Sequence, residues 1–254
     1  MSAPSETPPT SPSTELVAPQ LGSGAMFDQI ARRYDRVNRV LSLGMDKGWR
    51  KKTVRRLVLG ANARVLDVAT GTGDLAIDIA RLTPDATVVG LDPSTQMLAI
   101  AQDKLTKRHL EARVSLIVGD AQALPYADDE MDAATIAFGI RNVPDRPLAL
   151  RELARVVKPG GRIAVLELGE PRTGLLGMAA RFHTRHVVPR LGALLSGARE
   201  YAYLQKSIAA FPPAAEFAKI MEASGLKVLE VVPLAFGACT LYVATPLPPL
   251  MRVS

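Results

Sequence analysis

Residues 66–76 read Leu-Asp-Val-Ala-Thr-Gly-Thr-Gly-Asp-Leu-Ala (LDVATGTGDLA), and this stretch decides how the chain folds. A short apolar run ends in Asp67. A Gly-Thr-Gly turn follows, and Asp74 then opens a run with helical spacing, DLAIDIARL. Glycines in such a turn let the backbone approach a ligand, and the helix behind them offers unpaired N–H groups. The unit is therefore strand, ligand-binding loop, helix.

The same rhythm continues outward. ATVVGLD (86–92) reads as a strand, STQMLAIAQDKL (94–105) as a helix and VSLIVGD (114–120) as a strand. MDAATIAF (131–138), RPLALRELARVV (146–157) and GRIAVLEL (161–168) read as strand, helix and strand. Short strands alternating with helices predict an α/β fold, a doubly wound, largely parallel sheet with helices on both faces. After Gly169 the pattern lapses until the helix AAEFAKIMEASG (214–225). Two strands then follow, LKVLEVVPL (226–234) and ACTLYVAT (238–245), close enough in sequence to pair antiparallel.

The flanks differ. Residues 1–24 are rich in Pro, Ser and Thr and read as a disordered tail with no secretory pattern. Residues 25–60 carry helical spacing broken at LSLGMD and form an N-terminal helical cap, and 172–212 form an insertion over the substrate. The folded domain is expected over 25–246, with a loose tail at 247–254. No apolar run approaches the ~20 residues that span a bilayer. One cysteine, Cys239, excludes an internal disulfide and fits a reducing compartment. The net charge is +6, and much of the excess lies in Arg32, Arg33, Arg36, Arg39, Lys47, Arg50, Lys51, Lys52, Arg55 and Arg56. That cluster is either a solvated helix face or a surface for anionic membrane; no motif or aromatic interleaving points to nucleic acid.

GTGDLA also satisfies the dinucleotide fingerprint, so the loop alone leaves two ligands open. Asp67 and Asp74 decide between them. A pyrophosphate at that helix end would face both negative charges, whereas S-adenosylmethionine carries a sulfonium and an ammonium. Asp92, about twenty residues on, suits a ribose. Asp120 can accept from an adenine amine, and the Ala121 N–H can meet the ring. Any one such Asp is usually a cap, but Asp67, Asp92 and Asp120 at successive strand ends around a glycine loop mark a ligand crevice.

FDQIARRYDRVNRVLSLGMDKGWR (27–50), VLDVATGTGDLA (65–76), GDAQALPYADDEMDAATIAFGIRNV (119–143), ALRELARVVKPGG (149–161) and YAYLQKSIAAFP (201–212) together resemble the ubiquinone/menaquinone biosynthesis C-methyltransferases. The resemblance runs in order from about Phe27 to about Thr245. It implies a seven-stranded class I methyltransferase fold, Rossmann-like, with the last strand antiparallel. It implies methyl transfer from S-adenosylmethionine to a ring carbon of a prenylated quinol, typically demethylmenaquinol to menaquinol. The equivalent reaction on a polyprenyl benzoquinol, a small-molecule O- or N-methyltransferase and an inactive cofactor-binding scaffold are the alternatives. The family's cofactor positions fall on Thr72, Asp92, Asp120 and Ala121, beside Asp67, Gly71 and Gly73 from the loop itself. A position usually serine in the family is Ala137 here, His183 stands where a tyrosine is usual, and the loop before Tyr201 is one residue short.

Arg141 and Asn142 end the fourth strand (AFGIRNVPD, 137–145), and they are the expected catalytic pair. A quinol carbon becomes nucleophilic when a hydroxyl loses its proton; a guanidinium can stabilise the phenolate and an amide can hold an oxygen. An isolated Arg-Asn would read instead as a loop in which Arg141 pairs with Asp145 or Asp132. Glu167 reads as a base or a cap, and Tyr201 and Tyr203 as ring contacts or core. His183 and His186 lack partners at ligand spacing, so no metal is expected. The expected setting is cytoplasmic, with transient contact at the inner face of the cytoplasmic membrane and homodimer formation left open.

Overall fold

The computed structural model describes residues 27, 28, 31, 39, 42, 44–169 and 198–248. The N-terminal tail, Arg32, Arg33 and Arg36 of the basic cluster, residues 170–197 with His183 and His186, and 249–254 lie outside the described residues.

The first unit forms as its sequence reads. β1 (Arg64–Val68) leads through the glycine loop into α2 (Asp74–Leu82), after α1 (Asp46–Arg56) in the N-terminal cap. Then come β2 (Thr87–Asp92), α3 (Thr95–Thr106), β3 (Val114–Val118), β4 (Met131–Ala137), α4 (Arg146–Val156) and β5 (Val157–Leu168). α5 (Ala198–Ala209), α6 (Ala214–Ala223), β6 (Leu226–Leu234) and β7 (Cys239–Pro246) complete the described chain. α5 is a helix that periodicity did not single out. β5 begins four residues before the expected start: Val157 pairs with Met131 and the register then shifts before Ala133 pairs with Arg162.

The seven strands run in the order β3-β2-β1-β4-β5-β7-β6. β1 to β5 are parallel, and β7 is antiparallel to both β5 and β6. This is the seven-stranded sheet the sequence predicts. Leu150, Leu153, Phe217 and Met221 pack α4 and α6 on one face with Leu66, Val68 and Ile136. Trp49, Leu75, Ile79 and Leu105 cover the other with Val65, Val88 and Leu166. Strands therefore alternate side chains between two buried faces, as doubly covered sheets require. The chain reverses its winding between β1 and β4, and this switch point opens a crevice at the strands' C-terminal ends.

Candidate active site

At the ends of β1 and β2 two carboxylates organise the glycine loop. Asp67 is buried and accepts from the Thr70 and Thr135 hydroxyls, both at 2.6 Å. Burial pushes its pKa up to about 6 against those two hydrogen bonds. Asp92 accepts from the Gly71 N–H at 2.8 Å and the Ser94 N–H at 2.9 Å. Its pKa is also raised, by burial, with the two N–H groups opposing. The strand end thus ties the loop down through its own backbone.

Gly73 caps α2 at φ 78°, and a Cβ there would lie 3.0 Å from the Ala101 Cβ. Its glycine is required by helix packing rather than by ligand approach. Gly71, at φ 56°, has open space where a Cβ would stand and lines the crevice.

Asp74 departs from the expectation. Its carboxylate pairs with the Lys104 ammonium at 2.7 Å and the Arg50 guanidinium at 3.4 Å. Burial alone would raise its pKa, but Lys104 and Arg50 outweigh burial and hold it below the ordinary carboxylate value. Lys104 also donates to Thr72 Oγ1 at 2.8 Å. Asp74 is therefore a neutralised charge and does not by itself repel phosphate; Lys104 lies thirty residues after it and Arg50 twenty-four before it, beyond the reach of local reading.

The cleft has a volume of about 240 Å³ and is lined by Gly71, Asp92, Asp120, Ala121, Phe138 and Asn142, with Leu91, Met97 and Val143 among its apolar walls. Among the described residues its only charged lining groups are Asp92 and Asp120. Two carboxylates without a cation suit a ligand that is polar at a ribose and positive at sulfur, although Asp92 alone would meet the ribose of a dinucleotide equally well. Asp120 is exposed, and its carboxylate accepts from the Gln122 N–H at 2.9 Å. Ala137 lines the same cleft.

The β4 end is built differently. Phe138 turns at φ 57°, and Gly139 allows the chain to pass where a Cβ would come within 2.5 Å of Ala69. A short 3-10 turn, Ile140–Asn142, follows. Arg141 is buried and pairs with Glu167 of β5: Nη1 to Oε1 is 2.7 Å, and the Arg141 N–H donates to Oε2 at 3.1 Å. Nη1 also donates to the Phe138 carbonyl. Neither Asp145 nor Asp132 is its partner. Asp145 caps α4 through the Leu148 N–H, and Asp132 accepts from the Arg64 N–H and Lys158. Glu167 also accepts from the Leu168 N–H at 2.8 Å, so its oxygens are committed to donors, as a capping group's would be.

Asn142 is half-buried, lines the cleft and accepts at Oδ1 from the Tyr203 hydroxyl at 2.9 Å. Tyr203 comes from α5, sixty-one residues on. Burial raises its phenol pKa, with Arg141 and Arg146 opposing. Arg141 and Asn142 thus face different ways: the arginine is held inward and the amide borders the cleft. Tyr203 was legible as an aromatic in YAYLQKSIAAFP, but not its partner. Among the described residues no group of three His, Cys, Asp or Glu side chains could hold a metal.

The profile of the ubiE/COQ5 methyltransferase family matches residues 18–246. The chain belongs to the ubiE/COQ5 methyltransferase family. Among its relatives is the ubiquinone/menaquinone biosynthesis C-methyltransferase of Syntrophotalea carbinolica, 48% identical over 85% of this chain and 91% of the other. The demethylmenaquinone methyltransferase of Deinococcus radiodurans is 45% identical over 86% of this chain and 90% of its own length. A SAM-dependent methyltransferase from Aquifex aeolicus shares the fold, with a TM-score of 0.60 at 19% identity over 83% of this chain and 96% of that one. This ubiE/COQ5-family chain is an S-adenosylmethionine-dependent methyltransferase acting in quinone biosynthesis. The acidic, cation-free cleft fits that cofactor.

Proposed function

We propose that this methyltransferase converts demethylmenaquinol to menaquinol, with Asp92 on the cofactor ribose, Asp120 and Ala121 on its adenine, and Arg141 and Asn142 at the reacting ring. Asp67, Gly71, Thr72 and Gly73 shape the loop around the methionine end. The observation that carries the reading is the Tyr203–Asn142 hydrogen bond beside the buried Arg141–Glu167 pair. With Oδ1 taken by Tyr203, the Asn142 amide nitrogen is the end that can donate to a quinol oxygen.

S-adenosylmethionine, when bound, supplies an electrophilic methyl carbon on sulfur. Asn142 orients the quinol so that a ring carbon faces it. Arg141 stabilises the phenolate formed when a hydroxyl proton passes to water; Arg141 stays charged and is not the base. With that methyl carbon supplied, the ring carbon held by Asn142 would gain a carbon–carbon bond as the carbon–sulfur bond was given up, its electron pair staying on sulfur. The ring hydrogen then leaves as a proton and the oxygen regains one, so one proton is released overall. Glu167 holds the Arg141 guanidinium and its backbone N–H in place, so the cation meets the phenolate without having to reorganise.

The test is turnover of a reduced demethylnaphthoquinol with S-adenosylmethionine, followed by mass spectrometry of the quinol. A methylated ring is expected. Faster turnover of the matching benzoquinol would move the assignment to ubiquinone chemistry, and turnover of neither would end the quinol reading.

Among the described residues no helix is long and apolar enough to cross a membrane. A prenylated substrate resides in the bilayer, so the enzyme must reach its surface. Lys47, Lys51 and Arg55 lie exposed on one face of α1, while Arg56 pairs with Glu230. Each exposed cation near anionic lipid is worth ~1 kcal/mol, which supports transient docking at the inner face of the cytoplasmic membrane. Salt-sensitive sedimentation with anionic vesicles and not with neutral ones is expected; equal sedimentation removes the role.

A further inference from the structure

A second cavity, of about 320 Å³, lies at the same end of the sheet, on the β5–β7 side of the Arg141–Glu167 pair. Its volume is in the range of small-molecule sites. Phe211, Pro212 and Pro213 form one wall from the segment between α5 and α6. Pro233 and Phe236, from the β6–β7 hairpin, and Tyr242 of β7 form the other. Glu167 stands in its lining, already bonded to Arg141 and Leu168. No lysine or arginine lines it among the described residues.

Three features give this cavity a purpose. Three prolines fix the local backbone, so the walls are formed before any ligand arrives. Phe236 is 63% exposed at the rim and held at φ 56°, in the left-handed region that a bulky residue avoids. Strained residues of this kind gather at ligand clamps, and an exposed ring adds little to the core. Finally, Glu167 lines the cavity and is bonded to Arg141, the neighbour of Asn142, so the cavity lies beside the strand end proposed for the reacting ring.

A ligand suited to these walls is uncharged, apolar and joined to a group that reacts beside Asn142. We infer that the cavity receives the isoprenoid side chain of the quinol while Asn142 and Tyr203 hold the ring. This rests on the quinol reading above and adds to it the site that selects prenylated substrates over bare rings.

The experiment uses two quinols with the same ring, one carrying several isoprene units and the other an ethyl group. Ala214→Phe places a ring in the cavity wall, and Phe236→Ser removes the exposed rim without disturbing the core. Filling or removing one hydrophobic contact surface commonly changes discrimination by about tenfold or more. Both variants are expected to raise KM for the isoprenoid quinol by that order, with kcat nearly kept and the ethyl quinol unaffected. Loss shared equally by both quinols, or no change for the isoprenoid one, overturns the assignment. If Ala214→Phe does not fold, Phe236→Ser at its exposed position decides the question with the same two outcomes. Wild-type enzyme that methylates neither quinol overturns the quinol reading itself and this inference with it.

Discussion

The two halves of the crevice meet the same problem, charge at the end of a buried strand, in opposite ways. At β1 and β2 the carboxylates of Asp67 and Asp92 have no cationic partner among the described residues and are held by hydroxyls and backbone N–H groups. At β4 and β5 a cation and a carboxylate, Arg141 and Glu167, close on each other out of reach of water. Hydrogen bonds can keep a carboxylate ionised while leaving its charge to attract a positive ligand. An ion pair cancels its own field and yields only to a charge formed between or beside its members. The first arrangement suits binding, the second suits a step in which charge develops.

The largest effect is expected from breaking the ion pair. Arg141→Ala should slow single-turnover methyl transfer by ~10²–10³, the usual loss for one preorganised donor. It should also destabilise the fold by ~3–5 kcal/mol, because Glu167 is left buried without its partner. Replacing both, as Arg141→Leu with Glu167→Leu, should restore most of the melting temperature but none of the rate. A double variant with a wild-type rate would take the pair out of the chemistry and erase the contrast.

Asp92→Ala attacks the binding half. Losing a charged acceptor costs ~1.5–3 kcal/mol, so cofactor affinity by calorimetry should fall about tenfold or more. The rate at saturating cofactor should hold. Unchanged affinity would show that the β2 end does not bind cofactor and that the division of labour is wrong.

pH sharpens the same comparison with a smaller effect. Burial raises Asp67 to about 6, so the fold favours its neutral form. Its contribution to stability is complete below its ordinary value and fades as pH rises through about 6. A cationic ligand favours the ionised form, so cofactor affinity should rise several-fold over the same window. Asp67→Asn should flatten both trends in melting temperature and in titration. If the variant keeps the wild-type rise in affinity, Asp67 does not sense the cofactor's charge.

Tyr203→Phe should have the smallest effect. It removes one hydrogen bond to Asn142, worth ~0.5–1.5 kcal/mol, and should raise KM for the quinol a few-fold with cofactor affinity intact. A change in cofactor affinity instead would place Tyr203 in the binding half.

The sheet was legible because its signals are local. Apolar runs of strand length, helical spacing and turn glycines are properties of contiguous residues, and DLAIDIARL and LKVLEVVPL became α2 and β6 with the boundaries their patterns mark. The extended β5 was not, because its first residues join the sheet only through a register shift against Met131. α5 was not singled out although Tyr201, Leu204 and Ile208 fall at helical spacing, because its single short stripe stands apart from the strand–helix alternation that marks the other elements.

The acids of the crevice were legible for a related reason: chain connectivity alone puts the C-termini of parallel strands at one end, so Asp67, Asp92 and Asp120 had to gather there. By itself, the sequence determined the sheet, the crevice and the residue types around it. Only the tertiary structure decided who pairs with whom. Arg141 took Glu167 over the nearer Asp145 because β4 and β5 lie side by side in a register that brings residues twenty-six apart into contact. Asp74 was neutralised by Lys104 because α2 and α3 meet beside the loop. Charge is written in the sequence, but whether a charge is spent on a neighbour or left for a ligand depends on distances that only packing sets.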